Sequence, residues 1–194
     1  SLIYMVEDLI KKSGHPKSGF YLNNLAELSN TIKELEQRGQ KIILFGVTYA
    51  LLDLAAQHPQ HLKHTIIMET GGMKGKRKEL LKEEIHQLLQ EAFLTENIHS
   101  EYGMTELLSQ SYSKGKNIFN SPTCMKILIR DVNDPLSIIG NNKTGGINVI
   151  DLANIYSCPF IATQDLGKTF DNDSFSVIGR FDNSDVRGCN LLVQ

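Results

Sequence analysis

A chain of 194 residues with 41% hydrophobic side chains is long enough to bury a core and fits one domain or two small ones. Its formal net charge of -2, with acidic and basic residues interspersed, excludes the strongly basic profile of a nucleic-acid-binding protein. Cys124, Cys158 and Cys189 are odd in number and widely spaced, which fits neither a disulfide framework nor a paired-cysteine zinc site, so a reducing cytoplasm is the expected location. No apolar run approaches membrane-spanning length, and Ser1-Leu2-Ile3-Tyr4-Met5 has no basic region ahead of an apolar stretch. The missing initiator Met implies a processed, tagged or truncated start.

In chain order, Asn24 and Glu27 form a capping box, and Leu25, Leu28, Ile32 and Leu35 recur at helical spacing until Gly39 stops the pattern. Ile42-Ile43-Leu44-Phe45 reads as a buried strand, closed by Gly46-Val47-Thr48 and followed by a helix through Leu51, Leu52 and Ala55. The unit then repeats: strand Thr65-Ile66-Ile67-Met68, turn Gly71-Gly72-Met73, and a helix with the stripe Leu81, Ile85, Leu88, Leu89 and Ala92. Asn97-Ile98-His99-Ser100 is a candidate third strand. Alternation of this kind predicts parallel strands with right-handed crossover helices, whose carboxyl ends share one edge. Ligands of open α/β sheets bind at that edge, where Gly46 to Thr48, Gly71 to Met73 and Tyr102 to Glu106 are expected to gather.

Beyond Ser121-Pro122 the texture changes to short β segments at 125–129, 146–150, 160–163 and 175–178, punctuated by Gly, Asn and Asp. The expected fold is α/β: parallel strands with crossover helices over 1–120, then a smaller, mostly antiparallel β subdomain over 121–194. Gly140 to Gly145 is expected to be a hairpin loop.

Glu101 to Glu106 offers an aromatic ring, a flexible Gly, a hydroxyl and two carboxylates at the expected ligand edge. A Tyr face stacks on a base, a Thr hydroxyl donates to phosphate oxygen, and a carboxylate holds magnesium. The alternative is a helix start capped by Thr105 and packed by Tyr102. His58, His61 and His64 are spaced by three, but Pro59 interrupts the pattern and a metal site is not expected there. Lys74, Lys76, Arg77 and Lys78 read as a solvated charge run rather than a phosphate site. Gly14 to Gly19 lacks the spacing of a phosphate loop.

Tyr102-Gly103-Met104-Thr105-Glu106 resembles the Tyr-Gly-x-Thr-Glu motif of the adenylate-forming superfamily. Thr70-Gly71-Gly72 lies upstream like that superfamily's Gly-Gly turn, Thr163-Gln164-Asp165 downstream like its Thr-Gly-Asp, and Gly179-Arg180-Phe181-Asp182 is similar to its hinge. The opening Ser1 to Met5, Gly19 to Leu22 and Arg187 to Leu192 look most like the acyl-protein synthetases, the LuxE-like long-chain-fatty-acid luciferin-component ligases. The resemblance implies a carboxyl-terminal part of an ATP-dependent ligase that converts a fatty or other carboxylic acid to acyl-AMP. It passes the acyl group to a protein cysteine, with an acyl-CoA reductase or acyltransferase as possible partner. A ligase of the phenylacetate-CoA type and a non-catalytic nucleotide-binding fragment are the alternatives.

The resemblance further implies that Gly71 and Gly72 border adenine, Tyr102 stacks on it with Gly103 beside it, and Thr105 contacts the α-phosphate. Glu106 binds Mg2+, Asp165 holds the ribose hydroxyls, and Arg180 lies nearby. A turn role for Asp165 is the alternative. Cys189, nearest the carboxyl end, is implied as the acyl acceptor, while a small buried hydrophobe is the commoner fate of a cysteine. Cys124 and Cys158 adjoin expected strands and read as core. Three departures stand out. Gln164 replaces the middle Gly of Thr-Gly-Asp, and neither the upstream phosphate loop nor the domain with the superfamily's catalytic Lys is in the sequence, so this chain is expected to hold the adenine and ribose half of the site.

Overall fold

The computed structural model describes residues 2–71, 80 and 82–181. Two compact units divide between His99 and Ser100, ahead of the change in sequence texture near residue 120.

The first unit holds helices α1 (Leu2–Ser13), α2 (Leu25–Gln37), α3 (Thr48–Gln57) and α4 (Lys82–Phe93) with strands β1 (Ile42–Gly46) and β2 (Thr65–Glu69). Asn24 caps α2 as its sequence requires: its side chain accepts from Glu27 N at 3.0 Å and donates to Glu27 Oε2 at 2.9 Å. At the other end Gly39 N donates to Glu36 O and Gln40 N to Leu35 O, a Schellman closure. β1 and β2 pair in parallel from Ile42↔Thr65 to Gly46↔Glu69, with α3 as the crossover. Leu44 and Ile67 point into a core with Ile32, Leu51, Leu54, Leu89 and Phe93. Ile43 and Ile66, directly opposite each other, face outward at 59% and 42% exposure.

Two details differ from expectation. The buried stripe of α4 is Ile85, His86, Leu89 and Phe93, while Leu88 is 46% exposed, because α4 turns a histidine rather than that leucine toward the core. α1 is a helix beyond those expected; it buries no residue and is braced by Glu7–Lys11 and Asp8–Lys12 pairs one turn apart.

The second unit is antiparallel throughout its described pairings. Its strands are β3 (His99–Tyr102), β4 (Ser111–Ser113), β5 (Phe119–Asn120), β6 (Met125–Arg130), β7 (Ile138–Ile139), β8 (Gly145–Asp151), β9 (Phe160–Thr169) and β10 (Phe175–Arg180). They lie in the order β3-β4-β5-β10-β9-β8-β6-β7. Side chains alternating inward from these strands form the core of Tyr102, Phe119, Met125, Ile127, Ile129, Ile147, Val149 and Phe175.

The Gly140 to Gly145 segment is not a hairpin loop. β7 and β8 pair with opposite edges of β6, so Ile129 faces both Ile139 and Ile147 and the loop passes over the end of β6. Asn142 N, donating to Thr169 O at 2.8 Å, and Thr169 Oγ1, donating to Asn141 Oδ1 at 2.8 Å, tie it to β9 instead. The hairpin in this region is β6–β7, closed by Asp131 N to Ser137 O at 2.8 Å.

Candidate functional site

In the first unit, the turns after β1 and β2 meet as the sheet-edge argument requires. Thr48 N donates to Gly71 O and Thr70 N to Gly46 O, each at 3.1 Å. Gly71 has φ +76°, a conformation that a residue with a Cβ rarely adopts. It is held by Glu69, 3% exposed, whose Oε1 accepts from Gly71 N at 2.7 Å and from the Thr48 hydroxyl. Lys82 Nζ lies 3.5 Å from Glu69 Oε2. His86 is buried nearby, and burial, reinforced by Lys82 against the opposing Glu69 and Glu83, lowers its pKa. Glu69 was not expected as a site residue; its signal in the sequence is a carboxylate closing an apolar strand directly before Thr70-Gly71-Gly72. Gly72 itself lies outside the described residues.

In the second unit, β3 delivers Tyr102 into the aromatic core. Its ring meets Phe119 and Phe175 edge-on, with centroids 6.0 and 5.4 Å away, and is 8% exposed. The hydroxyl reaches past these rings and donates to Asp165 Oδ2 at 2.9 Å. Burial, then the neighbouring Asp165 charge, pushes the phenol well above its ordinary pKa, so it remains a proton donor. Asp165 and Arg180 are register partners across β9 and β10. Arg180 Nε stands 3.3 Å from Asp165 Oδ1, an ion pair without hydrogen-bond geometry. Residues from three separated motifs thus form one contact chain.

The segment leading to Asp165 is fixed from below. Thr163 Oγ1 donates to Ile147 O at 2.9 Å and accepts from Asp165 N at 3.1 Å. Thr163 O accepts from Arg130, a buried guanidinium that also donates to Ile147 O and Asn148 Oδ1. A Cβ at Gly146 would lie 2.5 Å from Arg130 Cζ, so only Gly leaves room for that side chain. Arg130 and Asp151, below, escaped the sequence reading, since each looks there like an ordinary residue closing a strand.

After Tyr102 the chain leaves β3 through Gly103 and makes a turn that exposes Thr105 and Glu106, closed by Leu107 N to Met104 O at 3.2 Å. No helix begins there, which sets aside the capping alternative for Thr105. Asp151, wholly buried, receives the far side of this turn: Oδ2 accepts from Leu108 N and Ser109 N, each at 2.9 Å, and Oδ1 from Ser109 Oγ at 2.6 Å and Ala153 N at 3.1 Å. Burial alone would raise its pKa, but these hydrogen bonds outweigh it and the carboxyl lies below its ordinary value. Asn154 Nδ2 donates to Glu106 O at 2.8 Å and to Cys158 O at 3.0 Å.

Two of the three cysteines depart from or evade expectation. Cys158 is exposed rather than core, because it sits in the loop between β8 and β9; Cys124 is half-buried beside Ser109. Cys189 lies outside the described residues. Among the described residues no three His, Cys, Asp or Glu side chains gather as a metal-holding group. No helix among the described residues is long and apolar enough to cross a membrane.

No family model matches the chain, and no curated protein sequence matches it. Its fold, however, matches solved structures. ATP-bound MatB from Rhodopseudomonas palustris aligns with TM-score 0.57 and 16% identity, covering 78% of this chain and 33% of that one. A mutant form of coronafacic acid ligase from Pectobacterium brasiliense gives TM-score 0.57 and 17% identity over 82% of this chain and 33% of the other. McyG A-PCP complexed with phenylalanyl-adenylate gives 0.56 and 13% over 82% and 34%. The chain spans about a third of the length of these structures. These neighbours are adenylate-forming enzymes, and the chain shares the fold of one part of them.

Proposed function

We propose that this chain is part of an ATP-dependent acyl-activating ligase, and that it supplies the adenine and ribose side of the nucleotide site. The observation that carries this reading is the Tyr102–Asp165–Arg180 contact chain. It brings together residues from three motifs that the adenylate-forming resemblance ranks as nucleotide-binding, on a fold shared with ligases of that kind.

In this reading Gly103 meets the adenine at the end of β3, and the Tyr102 ring, buried against Phe119 and Phe175, supports that strand end rather than lying open for stacking. The Asp165 carboxylate accepts from the ribose hydroxyls, oriented by the Tyr102 hydroxyl and by Arg180; a carboxylate has about four acceptor positions, enough for several donors. Thr105 donates to an α-phosphate oxygen. Glu106, exposed and unencumbered by packing, is the residue to hold Mg2+, which when bound neutralises phosphate charge. A substrate carboxylate oxygen attacks the α-phosphorus, the bond to the β-phosphate oxygen breaks, and pyrophosphate leaves with the electron pair, giving acyl-AMP. A thiolate then attacks the acyl carbon and AMP departs. The acyl-protein synthetase version of this reading makes Cys189 that thiolate, a fatty acid the substrate, and an acyl-CoA reductase or acyltransferase the partner; coenzyme A is the competing acceptor.

Carboxylate-dependent exchange of labelled pyrophosphate into ATP by the full-length gene product is the test. Exchange is expected, and its absence across fatty and aromatic acids rejects the ligase reading. Cys189→Ser should retain exchange and lose hydroxylamine-labile acyl labelling of the protein; retained labelling removes Cys189 as acceptor.

A further inference from the structure

Thr105 and Glu106 lie in no helix or strand, yet the chemistry proposed for them needs placement within about an ångström. Their own turn contributes one backbone bond, from Leu107 N to Met104 O. Further restraint comes from residues distant in sequence. Asp151 gathers four donors, three of them from Leu108 and Ser109, and Asn154 ties down the Glu106 carbonyl itself.

A wholly buried carboxylate is costly unless its lone pairs are filled, and no cationic side chain lies within ion-pair distance of Asp151 among the described residues. Four converging donors require acceptors on both oxygens, which an ionised Asp provides. An Asn of the same shape would turn an N–H toward one of those donors.

We infer, resting on the ligase reading above, that Asp151 is a positioning residue which, with Asn154, fixes the turn bearing Thr105 and Glu106 for adenylate formation without touching the nucleotide. Asp151 closes β8, the strand whose other end carries Gly146 beside Arg130, so one strand supports both this turn and the Asp165 segment.

The test compares Asp151→Asn and Asn154→Ala with wild type in the full-length protein. The readouts are pyrophosphate exchange, AMP affinity by calorimetry, and amide hydrogen exchange at Leu108 and Ser109. Asp151→Asn is expected to lower kcat for exchange about 10- to 100-fold, with a much smaller loss of AMP affinity, since of the contacts this turn makes AMP retains only that of Thr105 with the α-phosphate. Amide exchange should accelerate at Leu108 and Ser109 but not in β9. Asn154→Ala should lower kcat in the same direction by less, and it carries the test alone if Asp151→Asn does not fold. Wild-type kcat in a folded variant, or an equal loss of AMP affinity and of protection throughout β9, overturns the positioning role. A wild-type protein without carboxylate-dependent exchange rejects the ligase reading itself, a result distinct from either.

Discussion

The Tyr102 hydroxyl donates a 2.9 Å hydrogen bond to Asp165 Oδ2 across 63 positions of sequence, and the same Tyr102 ring packs edge-on against the stacked pair Phe119 and Phe175. The aromatic core therefore aims the hydroxyl, and the hydroxyl orients the carboxylate. This coupling separates the two parts of Tyr102. Tyr102→Phe keeps the ring and should cost about 1 to 3 kcal/mol in urea denaturation, the expense of a buried acceptor losing its donor. Tyr102→Ala also opens a cavity and should cost about 3 to 5 kcal/mol.

Asp165 is the stronger test of the nucleotide reading. Asp165→Ala should weaken AMP binding about 10- to 100-fold, as expected for lost hydrogen bonds to a charged group. Asp165→Asn should fall between Ala and wild type. Isothermal titration with AMP and with 2′-deoxy-AMP checks the assignment: the deoxy analogue should discriminate poorly once Asp165 is removed.

Two glycines in the same hairpin should respond oppositely. A Cβ at Gly167 would lie 2.4 Å from the Ser176 carbonyl oxygen and 2.6 Å from Ile147 Cδ1, so Gly167→Ala must force β9 away from β10. That should cost about 1 to 3 kcal/mol, the range for overpacking, and weaken AMP binding by disturbing the Asp165–Arg180 register. At Gly179 a Cβ would meet no heavy atom within 4 Å, so Gly179→Ala should leave both properties nearly unchanged.

His86 predicts a pH dependence in a mild range. Its folded pKa lies below 6.5, chiefly through burial and then Lys82. As pH falls past 6.5, the unfolded chain takes up the proton first, so stability contributed by neutral His86 is present above that value and declines below it. Urea midpoints measured between about pH 7.5 and about pH 5.5 should fall, and His86→Gln should flatten the slope; an unchanged slope removes His86 as its source.

Much of the first unit is legible in sequence because its determinants are local. Asn24 with Glu27, Gly39, and the apolar runs of β1 and β2 each act within a few positions. In the second unit, β6, β8, β9 and β10 are readable as runs of alternating or β-branched residues, but β4 and β5 are too short and polar to show a period. The path from β7 to β8 depends on which edge of β6 each takes, and the sequence around Gly140 is compatible with either. The site divides in the same way. Tyr102, Asp165 and Arg180 stand in recognisable motifs, whereas Asp151, Arg130 and Glu69 gain their meaning only from partners that folding brings to them.

The outward pair Ile43 and Ile66 carries a practical consequence. Parallel strands are normally covered on both faces, but here two isoleucines in register stand in solvent. Preparations of this chain should be governed by colloidal behaviour as much as by folding stability: self-association will rise with concentration and with sulfate, which strengthens apolar burial. A lysine at either position offers a way to obtain dilute, well-behaved samples without disturbing the opposite face, where Leu44 and Ile67 hold the core.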